Sequence, residues 1–264
     1  SADQAMDVVV AIGGATDSAG NTNAVVSNDF DWTHDATAPT ITTVAVAGAT
    51  EDGYGVASTY VVTLTPSETL ASAPTLTVTG GSITTAGAAS DANWVYTITP
   101  TSADQAMDVV VAIGGATDSA GNTNAVVSND FDWTHDATAP TSTTAVLAVT
   151  GAGGGNNADV VTMTLTPSET VTAPTCTFTS GSAAMAGTVT YSTDGSAHIA
   201  SVTVADGDTD GTVAFSCTYA DTAGNNIASA ITSASSGSVT IDNTHPTITT
   251  VAVAGATEDG YGVA

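Results

Sequence analysis

The chain has 264 residues, with 26 acidic side chains, no Lys or Arg and a formal net charge of -26, yet only 10% of its residues are charged and 42% are hydrophobic. That balance describes a folded acidic chain rather than a disordered one. It excludes a basic face for nucleic acid, attraction to anionic membrane surfaces, and any chemistry that needs a lysine amine or an arginine clamp.

Residues 1–40 recur without change at 102–141, and residues 39–57 recur at 246–264. Identity at these spacings indicates a tandem array of modules of roughly 100 residues each. The linkers set the phase. His34-Asp35-Ala36-Thr37-Ala38-Pro39-Thr40, its copy from His135 to Thr141, and Asp242-Asn243-Thr244-His245-Pro246-Thr247 each place an Asp four residues before a Pro. The modules are therefore expected to run as the C-terminal part of one repeat (1–38), a complete repeat (39–139), a divergent repeat (140–245) and the N-terminal part of another (246–264). With no signal peptide at Ser1 and no apolar run of 18 residues, the chain reads as an internal piece of a longer exported polymer, without membrane insertion in this segment.

Within 39–139 the predicted strands are, in order, 41–47, 60–65, 75–79, 82–85, 94–99, 108–113 and 124–128, separated by Gly, Pro, Asn and Asp clusters. Tyr60, Val62 and Leu64 share one face with Thr63 and Thr65 opposite, and Trp94, Tyr96 and Ile98 share one with Thr97 and Thr99 opposite, which is the period of a half-buried strand. About seven short strands in ~100 residues predict an all-β chain of tandem immunoglobulin-like antiparallel sandwiches in a linear array. Aligned on the turn Asp118-Ser119-Ala120-Gly121-Asn122, the sixth strand turns Val110, Ala112, Gly114 and Ala116 inward. Val109, Val111 and Ile113 then point outward, a lateral interface for a neighbouring chain, with Val8, Val10 and Ile12 as its copy. A one-residue bulge that reverses the register is the alternative.

The divergent repeat keeps the landmarks: Pro66-Ser67-Glu68 returns as Pro167-Ser168-Glu169, and the Gly-Asn turn returns as Asp221-Thr222-Ala223-Gly224-Asn225. The Asp-x-Thr-x-Pro linker, the Pro-Ser-Glu loop and the Asp-x-Ala-Gly-Asn turn resemble those of the bacterial immunoglobulin-like domains of giant surface adhesins and extracellular surface filaments, and the resemblance covers essentially the whole chain. It implies a cell-surface location, partners that are neighbouring repeats or other copies in a fibre, and calcium at the junctions between modules.

The residues point the same way. If the strands run A to G, Glu68 lies in the B–C loop, Asp118 in the F–G loop and Asp35 in the entering linker, so three distant segments bring carboxylates to one junction. Asp136, Glu169 and Asp221 repeat the set, Asn122 and Asn225 add amide oxygens, and Asp242 is the third linker acid. Hard oxygen ligands from several loops suit Ca²⁺, and a bound metal is the strong counter-charge open to a chain without basic residues. Equally, Asp and Asn in such turns cap their own backbone. Glu51, Asp52 and Asp104, at the other end of the module, read as solvated loop acids or as acids that complete the junction with the following module, and the four His form no cluster.

Cys176 and Cys217 occur only in the divergent repeat. Both are expected to face the core from neighbouring or facing strands, as a disulfide in an exported chain or as two buried thiols. The expected function is a structural segment of an extracellular filament or stalk. The alternative is an adhesin repeat that attaches to a surface, a glycan or another cell through a receptor the sequence does not reveal. No catalytic set is present in the sequence.

Overall fold

Residues 3–26, 29–90, 92–151 and 154–252 are described by a computed structural model, and all regular secondary structure among them is strand. The chain divides into two compact units, Ser1–Thr138 and Ala139–Ala264. Of the stretch 246–264, residues 246–252 carry no strand and 253–264 lie outside the described residues.

The first unit begins with an antiparallel ribbon of β1 (Gln4–Val8) and β2 (Phe30–His34). There follow β3 (Ile41–Ala47), β4 (Gly53–Gly55), β5 (Tyr60–Pro66), β6 (Leu76–Thr79), β7 (Gly81–Ser90), β8 (Asn93–Pro100), β9 (Asp104–Val111) and β10 (Phe131–Asp136). They form two four-stranded sheets, in the orders β3-β5-β8-β7 and β4-β10-β9-β6. These are the A-B-E-D and G-F-C orders of an immunoglobulin-like sandwich, with β4 added in parallel beside the last strand. Alternation builds the core as expected: Tyr60, Val62, Leu64 and Ile98 have no exposed surface.

Two expectations for this repeat are corrected. The final strand is Phe131–Asp136, not 124–128. Phe131, Trp133 and His135 alternate inward, whereas Asn124 is a buried loop residue whose amide donates to the carbonyls of Ala112 and Val126 and accepts from the Ala116 N–H. The proposed lateral interface is also overturned. Val109 and Val111 are fully buried and only Ile113 is exposed. β9 ends at Val111, and the four-residue turn that follows, with Gly114 at φ 75°, puts buried Ala116 five positions on, an odd step. Counting twos backwards from that turn reverses the strand.

His135, nominally a linker residue, is 3% exposed, and its Nδ1 lies 2.7 Å from the Tyr60 hydroxyl and 3.2 Å from the Gly55 carbonyl oxygen. The end of the module is thus tied into its core.

The second unit repeats the plan with β11 (Ser142–Val149), β12 (Val160–Pro167), β13 (Thr175–Ser180), β14 (Ala183–Ala184), β15 (Thr190–Asp194), β16 (Ala197–Thr203), β17 (Gly211–Thr218) and β18 (Thr240–Ile241). Its sheets run β11-β12-β16-β15 and β14-β13-β17-β18. Cys176 and Cys217 form a disulfide, with Cα atoms 4.1 Å apart. They are direct register partners on neighbouring strands, β13 and β17, of one sheet. The corresponding pair in the first unit is Leu76 opposite Val111, both buried. A covalent bond therefore stands where the other repeat uses an apolar contact.

Reducing the disulfide is expected to lower the stability of the second unit by up to about 4 kcal/mol, the chain-entropy figure for a loop of this size. Calorimetry with and without reductant should move one of two transitions and leave the other in place.

Candidate metal centre at the linker

The site is built on the turn after β9. Gly121 has φ 97°, open to glycine at no steric cost. Asp118 Oδ1 accepts the N–H groups of Ala120, Gly121 and Asn122 at 2.9, 2.7 and 2.8 Å, and Oδ2 accepts the Asn122 amide at 2.8 Å. The Gly-Asn motif is thus a self-closing turn around one carboxylate. The same turn forms around Asp17, whose Oδ2 accepts the Asn21 amide at 2.9 Å, and around Asp221, which accepts the Asn225 amide at 2.9 Å.

Two further segments meet that turn. The loop after β5 is stitched to it by the Leu70–Asp118 bridge and by the Ala71 N–H donating to the Thr117 carbonyl at 2.9 Å, which positions Glu68. Ser67 then holds the linker: its hydroxyl accepts the Thr40 N–H at 3.0 Å, and its own N–H donates to the Thr40 carbonyl at 2.8 Å. Asp35 completes the group, with its carbonyl and carboxylate oxygens 3.3 and 3.4 Å from the Asn122 amide nitrogen.

Asp35, Glu68 and Asp118 each offer a carboxylate oxygen within 4.8 Å of the others. Asp118 is buried and the other two are half-buried. Burial raises the Glu68 pKa above its ordinary value, and the negative charges of Asp35, Asp118 and Asp3 raise it further. Burial pushes Asp118 up as well, but the donors of its turn outweigh this and hold it below the usual carboxylate range. Asn122 turns its amide nitrogen, not its oxygen, toward the acids, so in this arrangement it is a donor to the carboxylates rather than an oxygen ligand.

The companion residues are split between the units. Asp136 closes β10 in the first. In the second, Glu169 follows Ser168, whose hydroxyl accepts the Thr141 N–H at 3.0 Å, and Asp221 lies in its turn, bridged to Val171. Asp242 is exposed and accepts the Thr244 N–H at 3.1 Å. Among the described residues it belongs to no cluster of three such groups.

Two features escaped the sequence reading. Asp7, Asp29 and Asp31, all exposed, also bring carboxylate oxygens within 4.8 Å of one another. Their signal was the hairpin register, which sets Asp7 opposite Asp31. In the copy, burial raises the Asp108 pKa, as do Asp132 and Asp130, and Asp108 Oδ1 is buried without a hydrogen-bond partner. The second feature is a clamp on each outgoing linker. Asp104, expected either to be solvated or to take part in the following junction, accepts the Thr138 hydroxyl at 2.7 Å and the Ala137 N–H at 3.2 Å. Asp3 does the same for Ala36 and Thr37, and Asp210 for Asn243 and Thr244. These donors lower all three pKa values, the Thr hydroxyl acting most strongly on Asp104 and Asp210 and the Ala36 N–H on Asp3. The Thr of the Asp-x-Thr-x-Pro linker is the residue each clamp grips.

No protein-family model matches the chain, and no curated protein is similar to it in sequence. Among solved structures, a titin I-band fragment, I67–I69, aligns at 8% identity and a TM-score of 0.42, over 78% of this chain and 66% of the fragment. The tandem immunoglobulin repeats of Dlar align at 12% identity and a TM-score of 0.20, over 78% of this chain and 97% of theirs. A Bacteroides ovatus mixed-linkage glucan utilization protein, SGBP-B, aligns at 13% identity and a TM-score of 0.23, over 91% of this chain and 60% of its own. The immunoglobulin-like assignment rests on the two sheet orders. No helix among the described residues is long and apolar enough to cross a membrane.

The opposed shifts give opposed pH effects. Asp104, with its pKa lowered by folding, adds stability above its unfolded pKa that is lost as acid titrates the folded carboxyl. Glu68, with its pKa raised, lowers stability as pH rises through the interval between its unfolded and folded values. In the absence of divalent cations, Glu68→Gln is expected to raise the melting temperature of the first unit at pH 7 and to leave it unchanged well below pH 4. Asp104→Ala should lower it at pH 7, and the deficit should vanish in strong acid. Melting curves of the two variants across pH check both signs.

Proposed function

We propose that the chain is a structural segment of an extracellular filament or stalk, made of serial sandwich modules whose linkers are fastened by calcium. The observation that carries this reading is the convergence of Asp35, Glu68 and Asp118, from the linker and two loops, in a molecule without a single Lys or Arg. The bond network around the trio consists of neutral donors, which leave net negative charge in place. A divalent cation removes it and joins the linker carboxylate to both loops of the module that follows. Carboxylates from separate loops provide the hard oxygen donors that calcium takes in sets of about 6–8, the remainder coming from carbonyls and water.

Other features fit the same role. Identical copies such as 1–40 and 102–141 add length rather than new specificity. The disulfide suits an oxidising, extracellular setting, and a chain without Lys or Arg offers trypsin-like proteases no site. This is the architecture of the bacterial surface-filament and adhesin repeats that the linker, loop and turn motifs resemble. Attachment to a glycan is the second reading. It is favoured by a hollow beside the trio, lined by Pro66, Glu68, Leu70 and Trp94, that brings an indole side chain and a carboxylate into one lining. Binding to a sugar panel that is lost in Trp94→Ala would support it.

Calcium at about 100 times its dissociation constant is expected to stabilise the first unit by ~2.7 kcal/mol and to raise its melting temperature by several degrees. Glu68→Gln and Asp118→Asn should remove that increment. Calorimetric titration and melting in calcium or chelator make the test, and a chain that melts identically in both refutes the calcium reading.

A further inference from the structure

The ribbon β1–β2 and the strand pair β9–β10 share one sequence and one register: Met6 faces Trp32 and Val8 faces Phe30, as Met107 faces Trp133 and Val109 faces Phe131. Even the aromatic spacing is conserved, with ring centroids 5.7 Å apart for Phe30 and Trp32 and 5.8 Å for Phe131 and Trp133. Their surroundings differ. Val109, Phe131 and Trp133 are 0%, 8% and 3% exposed, whereas Val8, Phe30 and Trp32 are 56%, 68% and 40% exposed.

What covers the second copy is known residue by residue. Tyr60 stands edge-on to Trp133 at 5.1 Å. β6 pairs with β9, setting Leu76 opposite Val111 and Val78 opposite Val109, and β4 pairs with β10. All of these covering residues fall within 39–101. That segment followed by 102–138 makes a sandwich, and 3–38 repeats the second half of it. Among the described residues, no strand pairs with either outer edge of β1–β2. An apolar face of this kind, with both strand edges open, is a template for added strands.

We propose that the β1–β2 face is a docking surface for a second copy of the segment 39–101, which seats its Tyr60, Leu64, Leu76 and Ile98 on Val8, Phe30 and Trp32 and pairs both edges, completing a sandwich like that of 39–138. The occupant is specified by the repeat: a surface identical in sequence and register to β9–β10 accepts the strands that β9–β10 accepts. The inference is independent of any bound cation.

Hydrogen exchange tests it, because residues 4–10 and 105–111 give the same peptide, which reports both copies at once. In the 264-residue chain its isotope envelope is expected to be bimodal, one half exchanging fast and the other protected. In an extended chain carrying a further copy of 39–101 immediately before Ser1, the fast half should disappear. Trp32→Asp in that extended chain should restore it. A fast population that persists in the extended chain, or protection that survives Trp32→Asp, overturns the proposal. So does a single protected population in the unextended chain sedimenting as a dimer, which would show that the face closes on itself.

Discussion

Uncompensated negative charge governs this molecule. The chain carries twenty-six carboxylates and not one Lys or Arg, so no acid is neutralised by the usual partner. The structure meets this with neutral donors. Asp118 and Asp17 gather backbone N–H groups and an Asn amide, while Asp3, Asp104 and Asp210 take a linker Thr hydroxyl. Asp208, 6% exposed, is held by the Ala186 and Ala205 N–H groups at 2.8 Å each. Hydrogen bonds to an ionised acceptor are among the stronger ones, and short polar residues in turns supply them without a long cationic side chain. The abundance of Thr and Asn in the motifs follows from the absence of bases.

In places acids nonetheless face acids. The linker trio is one such place. The Asp7, Asp29 and Asp31 cluster is another, as is Asp108 with its orphaned oxygen. Like charges directly opposite on neighbouring strands destabilise a sheet, and Asp108 lies opposite Asp132 in register. The charge that the local turns cannot absorb is concentrated at a few positions rather than spread evenly.

Strand alternation made most of the fold legible in the sequence. Ile41–Ala47 falls where the Thr and Val spacing places it, and the inward faces of β5 and β8 follow their apolar residues. The trio was legible too, because strand lettering fixes which loops share an end of a sandwich. What failed was local. Phe131-Asp132-Trp133-Thr134-His135 alternates cleanly, but it runs straight into a linker motif that masked it. Asn124-Ala125-Val126-Val127-Ser128 has strand-like content, yet the buried Asn124 amide makes it part of a loop. The face of β9 was reversed because a turn's residue count cannot be deduced from its composition. The Asp104 clamp was invisible because its partner, Thr138, lies 34 residues away across a hairpin.

The bond between Cys176 and Cys217 also has a mechanical side. It joins neighbouring strands of one sheet and encloses a stretch 41 residues long. A fully stretched chain spans at most ~3.6 Å per residue, so this crosslink withholds roughly 150 Å of slack. Under tension the second unit releases only the residues outside the covalent ring, whereas the first, with Leu76 and Val111 in the same places, is free to unravel from end to end. Two repeats of one architecture therefore differ in how far they yield, and a string that alternates them combines extensible links with short stops.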